Sequence, residues 1–215
     1  TLANDRVRLA GYAPDDSELQ QIKDLAERTL AGTQIDERLD VGRGVPNKDR
    51  WSKAVAFALA QLKTLEEGEV SLSDLDLTIR GRAKSQDDYK LVKAALADDL
   101  PRGVKLVSEE ITPPVVDPYL LNVTFVNGKL SIDGHASDAQ AITGIAEAAK
   151  RAFPKLRADV KLEAAGGAPD NWRDAAATLF EELSKLEEGF ATIRNESIDL
   201  SGRAYAVFEG TFGRE

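Results

Sequence analysis

The residue with the most evident chemical potential in this sequence is a single histidine. His135 is the only histidine in the chain, and an imidazole can act as a general base or as a metal ligand. The sequence contains no cysteine, so neither a thiolate nor a second imidazole can join His135 in a metal site. His135 is therefore predicted to be a solvated surface residue, and no metal is expected.

Adjacent aspartates are the other candidates for acid–base chemistry. They occur as three pairs: Asp15-Asp16, Asp87-Asp88 and Asp98-Asp99. All three pairs lie at or near the ends of predicted helices, and a carboxylate at a helix start is stabilised by the positive end of the helix dipole. We interpret them as solvated helix-end residues.

Sequence motifs of known enzyme classes are missing. The chain has no G-x-S-x-G, P-loop, H-E-x-x-H or EF-hand pattern. The glycines of VGRGVP and AAGGAP are too few for a dinucleotide cradle, and both segments read as connecting turns. No catalytic residue and no cofactor are therefore predicted, and the protein is not expected to be an enzyme.

The amino-acid composition and the net charge restrict the classes of partner that can be expected. Apolar residues make up 42% of the 215 residues, charged residues make up 30%, and the net charge is −9. A negative field repels phosphate backbones and anionic lipid, so nucleic-acid binding is not expected. No apolar run reaches the roughly 18–20 residues that span a bilayer.

A short strand-like motif occurs four times, as VRLAGYA, LTIRGRA, LSIDGHA and IDLSGRA. Each copy ends in glycine, one variable residue and alanine. The conserved positions, which we treat as a structural motif, are Gly11, Ala13, Gly81, Ala83, Gly134, Ala136, Gly202 and Ala204. Because side chains alternate along a strand, these small residues share a face with the large aliphatic residues two and four positions before each glycine.

This pattern predicts an inward face that changes from large to small side chains. The small residues would let the following helix cross closely, or the glycine would allow a bend or a positive φ. The variable residue between glycine and alanine should face solvent. It is Tyr12, Arg82, His135 or Arg203.

A longer repeat shows that the chain is a tandem duplication. Trp51 aligns with Trp172, and the segments LEEG and GRA recur in the same register in both halves. Each tryptophan falls in the first turn of an amphipathic helix, so we expect both to anchor a helix on a sheet or one module on another. The first of these helices is predicted over about residues 51–67, ending with LEEG.

Each half contains a smaller α-β-β-α-β unit. The predicted fold is α+β, with tandem modules that each have a three-stranded mixed sheet covered by two helices. The expected divisions are a partial module at 1–45, a complete module at 46–112, a proline-rich linker at 113–118, a module at 119–168 and a truncated module at 169–215. Ser85 and the pair Ser137 and Gln140 are predicted helix caps, and Asn127-Gly128 predicts a type I′ turn.

The α-β-β-α-β order resembles the BON domain (bacterial OsmY and nodulation). The stretches that carry the resemblance are LTIRGRA…YKLVKAALADDLPRGVKLV and LSIDGHA…ITGIAEAAKRAFPKLRADVKLE. The paired layout with tryptophan-containing helices and L-x-x-L-E-E-G is also similar to the repeat region of OmpA-family envelope proteins of alphaproteobacteria.

The resemblance implies a periplasmic or cell-envelope location and a non-catalytic role in binding or scaffolding. The expected partners are envelope proteins, further copies of the chain, or a phospholipid surface, although the acidic balance opposes unaided attraction to anionic lipid. A small-molecule-binding protein or enzyme with a site between the two halves is the alternative.

Overall fold

The computed structural model describes residues 1–42 and 47–205 and has an α+β architecture. The chain divides into two compact units, Thr1–Pro114 (unit 1) and Val115–Glu215 (unit 2). Residues 43–46 and 206–215 lie outside the described residues. They include Gly44 and Pro46 of the predicted turn, the predicted module boundary between residues 45 and 46, and the end of the last predicted module.

Unit 1 contains one mixed sheet with helices α1, α2 and α3. Its elements in chain order are β1 (Leu2–Ala3), β2 (Arg6–Ala13), α1 (Asp16–Thr29), β3 (Gln34–Val41), α2 (Lys48–Lys63), β4 (Leu65–Ser73), β5 (Asp76–Ala83), α3 (Gln86–Asp98) and β6 (Lys105–Thr112). The strand order is β3-β2-β1-β4-β5-β6. The outer pairs β2–β3 and β5–β6 are parallel, and the inner pairs are antiparallel.

Unit 2 repeats this arrangement. Its elements are β7 (Leu120–Val126), β8 (Lys129–Ala136), α4 (Ala139–Ala152), β9 (Ala158–Ala164), α5 (Trp172–Leu183), β10 (Leu186–Arg194) and β11 (Ser197–Ala204). The strand order is β11-β10-β7-β8-β9, with only β8–β9 parallel. Strands β7 and β10 therefore occupy the centre, where β1 and β4 lie in unit 1.

The predicted three-stranded sheets are wrong, because the modules pair into sheets of six and five strands. The first hairpin strand of one module pairs antiparallel with that of the next, as β1 with β4 and β7 with β10. An isolated module would leave that strand as an unpaired edge, and pairing satisfies its backbone hydrogen bonds.

The helix predicted over about residues 51–67 also needs correction. Helix α2 ends at Lys63, and both LEEG segments begin strands, β4 and β10. Backbone pairing of β4 with β5 and of β10 with β11 holds both LEEG segments in the sheets, and their glutamates pair with arginines on the next strand, as described below.

Local signals account for several helix starts and turns. Ser85 accepts a hydrogen bond from the Asp88 N–H and caps α3, as predicted. Asn127 and Gly128 both have positive φ, which confirms the predicted turn. At α4 the cap is Asp138, one residue after the predicted Ser137: its carboxylate accepts hydrogen bonds from the Ala141 N–H and from the Ser137 hydroxyl.

Each unit has its own apolar core between one sheet face and its helices. In unit 2 the core includes Tyr119, Leu121, Ile132 and Phe180, all fully buried. In unit 1 the corresponding cluster is smaller, with fewer fully buried residues around Val7, Leu65 and Ile79. The reason lies at the centre of its sheet, where β1 has only two residues.

Candidate binding surfaces

Three of the four glycines of the repeated motif lie against the backbone of the neighbouring antiparallel strand. Gly81 and Gly134 have φ of 150° and 131°. A Cβ on Gly81 would lie 2.7 Å from Gly68 Cα, and one on Gly134 would lie 3.0 Å from Leu121 Cα. Both would come closer still to a backbone carbonyl oxygen of that strand. The glycine therefore makes room for the adjacent strand backbone, where the sequence predicted room for the following helix.

Gly11 has the same conformation without that neighbour. Its φ is 144°, yet nothing lies within 4 Å of a Cβ built on it. At the fourth position, Gly202, a Cβ would lie 2.8 Å from Gly189 Cα, and φ lies outside the left-handed region. Close strand approach thus occurs in three of the four copies.

The alanines of the motif are buried in the first three copies only. Ala13, Ala83 and Ala136 are fully buried, whereas Ala204 is exposed. The predicted inward face therefore fails in β11, where Ile198 and Leu200 are 49% and 43% exposed. Among the described residues, strand β11 lies at the edge of its sheet.

The variable residue of the motif explains why GRA and LEEG recur together. Arg82 contacts both Glu66 and Glu67 at 2.9 Å. In unit 2, Arg203 contacts Glu187 at 3.0 Å and Glu188 at 3.1 Å. Exposed pairs of this kind contribute about 0–1 kcal/mol each. GRA and LEEG therefore face each other on the paired strands β4–β5 and β10–β11. Their equal spacing in the two halves of the sequence indicates this relation.

His135 occupies the same variable position and is half-buried, not fully solvated as predicted. Its Nδ1 accepts a hydrogen bond from the Leu120 N–H at 3.4 Å, and its ring lies 5.5 Å from that of Tyr119. In the described residues no group of three or more potential ligands could hold a metal ion. Tyr12, the equivalent in β2, is 71% exposed.

The aspartate pairs act at helix ends. Asp15 caps α1 and pairs with Lys48, and its pKa is lowered by the Lys48 ammonium and the Glu18 N–H. Asp88 and Asp99 lie in the first turn and at the C-cap of α3.

The two aligned tryptophans have different environments. Trp172 is 5% exposed and meets the Tyr119 ring edge-on at 4.6 Å. Burial raises the pKa of Tyr119 to about 12, with a smaller effect from Asp138, and its hydroxyl donates to the Ala165 carbonyl at 3.2 Å. Trp172 thus anchors α5 on the sheet as predicted. Trp51 is only half-buried.

Trp51 lines an open groove in unit 1 of about 330 Å³. Its walls are β2 at Leu9–Gly11, β4 at Val70–Leu72 and the apolar face of α2. In the described residues, β1 pairs with β2 at Leu2 and Ala3 and with β4 at Leu2, and the groove lies between β2 and β4 beside Thr1. We call this groove the β2–β4 slot.

No helix of the described residues has the length and apolar character needed to cross a membrane. No family model matches the chain, and no curated protein or solved structure matches it either. The candidate surfaces are therefore assessed on their own geometry.

Proposed function

We propose that this chain is a non-catalytic binding and scaffolding module that associates with another copy of itself through β11. It would serve as a spacer and interaction platform of a larger cell-envelope protein. The envelope location and the BON-like character rest on the sequence resemblance alone. The observation that supports binding is that, within the described residues, β11 has an unpaired outer edge and an exposed aliphatic face.

Comparison within unit 2 shows what β11 lacks. The equivalent strand β8 is paired on its outer side by β9, and its Leu130 and Ile132 are buried beneath α4. In the described part of the chain, no strand pairs with the outer side of β11. Its aliphatic residues at the same positions, Ile198 and Leu200, remain exposed.

An edge strand of this kind is a template for strand addition, because it presents unpaired N–H and C=O groups beside apolar side chains. Two copies that pair edge to edge through β11 would satisfy the backbone groups of both. Such a contact is self-complementary under twofold symmetry. It would also cover the two aliphatic side chains of each copy.

Light scattering across a range from micromolar to millimolar tests the proposal. The wild-type chain should self-associate, and the double variant Ile198→Lys/Leu200→Lys should remain monomeric. The control is Ser197→Lys/Ser201→Lys, which adds the same charge at exposed positions of the opposite parity on β11. The control should retain association, although added charge will weaken it at low salt.

A strictly monomeric wild-type chain over the whole range would contradict this function. Equal loss in both double variants would show that charge, and not the aliphatic face, controls association. Far-ultraviolet circular dichroism and the Trp172 emission should be unchanged in both variants, because β11 lies outside the buried core.

A further inference from the structure

Strands β3, β6 and β9 occupy the same place in their modules. Each follows the helix after a motif strand, pairs parallel with that strand, and forms an edge of its sheet in the described residues. Opposite the aliphatic residue two positions before the motif glycine lie Glu37 in β3, Glu109 in β6 and Val160 in β9. The open edge is therefore part of the module plan, and its central residue differs between the two units.

Unit 1 carries a lysine–glutamate pair at each of these edges. Lys23 of α1 contacts Glu37 at 2.7 Å. Lys93 of α3 occupies the position equivalent to Lys23 and contacts Glu109 at 2.5 Å. Inward-pointing charges of this kind protect a sheet edge against pairing with another chain. Strand β6 has a second protection, a shift of register at Val107.

Strand β9 has neither protection. Ala146 of α4 replaces the lysine and Val160 replaces the glutamate, and both residues are half-buried. The register of β9 with β8 has no shift. Ala158, Val160 and Leu162 pack against the core of unit 2. The edge that unit 1 protects with charge is therefore apolar and regular in unit 2.

The outward face of β9 carries charges that match a second copy of the same strand. Asp159 and Lys161 flank Val160 and contact each other at 2.9 Å. If two β9 strands pair antiparallel about a twofold axis at Val160, Asp159 of each copy lies opposite Lys161 of the other. The next outward residues, Arg157 and Glu163, are related in the same way. Opposite charges directly across an antiparallel pair stabilise it, and like charges destabilise it.

The inward residues also match in this register. Val160 meets its own copy on the axis, and Ala158 lies opposite Leu162 on either side of it. The stretch from Ala158 to Leu162 lies before Gly166, where the linker residue Val115 pairs with the chain. These apolar side chains are already half-buried, whereas the aliphatic residues of β11 are exposed. A contact through β9 therefore buries less apolar surface than one through β11 and is the weaker of the two.

We infer that β9 is a second self-association surface, at which two copies pair antiparallel about Val160 into one continuous sheet. The contact is weak in free solution, so a chain with β11 blocked is monomeric by light scattering and pairs through β9 only transiently. Where the β11 contact is also made, the two twofold contacts alternate and join successive copies into an open array. The array rests on the proposed function, whereas the β9 contact does not.

A single cysteine at the twofold axis tests the contact, because the chain contains no cysteine of its own. Paired residues of an antiparallel ladder have Cα atoms about 4.5–5.5 Å apart, a separation that a disulfide spans. Val160→Cys is made in the Ile198→Lys/Leu200→Lys chain, and copper phenanthroline oxidises the thiols at micromolar protein concentration. Disulfide dimers, followed on non-reducing gels, capture the transient pairing. Val107→Cys on β6 is the control and should cross-link at least tenfold more slowly, although Val107 is 56% exposed.

Charge variants of the Val160→Cys chain test the register. Lys161→Asp places an aspartate opposite Asp159 and should slow cross-linking at least fivefold. Lys84→Asp makes the same change of net charge at an exposed residue of unit 1 and should change the rate less than twofold. Asp159→Lys/Lys161→Asp exchanges the two charges and keeps them complementary, so it should restore the rate.

The inference fails if Val160→Cys cross-links no faster than Val107→Cys, or if Lys161→Asp slows it no more than Lys84→Asp does. A charge-exchanged variant as slow as Lys161→Asp would also overturn it, because the strands would then not pair about Val160. Far-ultraviolet circular dichroism of every variant should match that of the wild type. All of these chains lack the β11 contact, so the outcome is separate from that of the proposed function.

Discussion

Replacing Gly11 and Gly81 in turn by alanine distinguishes two roles of the glycine at the end of these strands. One is the backbone conformation, and the other is the space that glycine leaves for the neighbouring strand. Both residues belong to unit 1 and have φ of 144° and 150°. A side chain in this region costs about 1–3 kcal/mol of backbone strain. The gain from a less flexible unfolded chain, about 0.4–1 kcal/mol, applies to both substitutions. These two contributions therefore cancel in the comparison.

The difference between the two variants measures the neighbouring strand. In Gly81→Ala the new methyl group would lie 2.7 Å from Gly68 Cα, and β4 would have to shift. Overpacking of this kind costs about 1–3 kcal/mol. In Gly11→Ala nothing lies within 4 Å. We expect Gly81→Ala to lose about 2 kcal/mol more free energy of unfolding than Gly11→Ala.

Urea unfolding followed by Trp51 fluorescence provides the measurement, with Trp172→Phe as the common background of both variants, because Trp51 is then the one tryptophan of the chain and lies in unit 1. With a slope of about 1–3 kcal/mol per molar urea, the midpoint of Gly81→Ala should lie about 1 M below that of Gly11→Ala. Equal midpoints would refute the reasoning, because they would show that strand approach contributes nothing at Gly81. A normal midpoint for Gly11→Ala would refute the strain argument.

Two further predictions concern a buried aliphatic residue and a helix cap. Ile193→Ala should lower the free energy of unfolding by about 2–5 kcal/mol, because Ile193 is fully buried in β10. Leu72→Ala, at the half-buried equivalent position in the slot, should lower it by about 1 kcal/mol. The urea midpoints of the two units distinguish these values. Asp138→Ala should cost about 1 kcal/mol through loss of the α4 cap. The cap lowers the pKa of Asp138 in the folded state, so its contribution is present at neutral pH and is lost as the pH falls through that lowered value. A cap contribution that survives full protonation in an acid titration of unit 2 would contradict this assignment.

The sequence predicted much of the local structure because the responsible interactions are short-range. The capping of α3 by Ser85 and the turn at Asn127-Gly128 depend on residues within one turn of each other. The alternation of apolar residues identified the buried face of β5 and β8. The length of helix α2 was mispredicted, because Leu65–Gly68 suits a helix locally and is held in β4 by pairing with β5.

The candidate binding surfaces could not be read from the pattern. The four motif strands have equivalent aliphatic positions, yet Ile198 and Leu200 in β11 are exposed while Leu77 and Ile79 in β5 are buried. In the described residues, β5 is paired with the parallel strand β6 and is followed by α3, whereas β11 has no strand on its outer side. The same holds for Trp51 and Trp172. They occupy equivalent positions in the repeat, but β7 covers only Trp172.

The sequence by itself determined the repeat, most of the helix and strand content and the alternation of apolar positions along the strands, because these follow from residue type and spacing. Only the tertiary structure decided that neighbouring modules share a sheet and that the motif glycines face a strand backbone. It also decided which apolar side chains of the described residues stay exposed, namely those of β11 and those of the β2–β4 slot. Burial depends on the elements packed around a residue, and equivalent residues of a repeat differ whenever those neighbours differ.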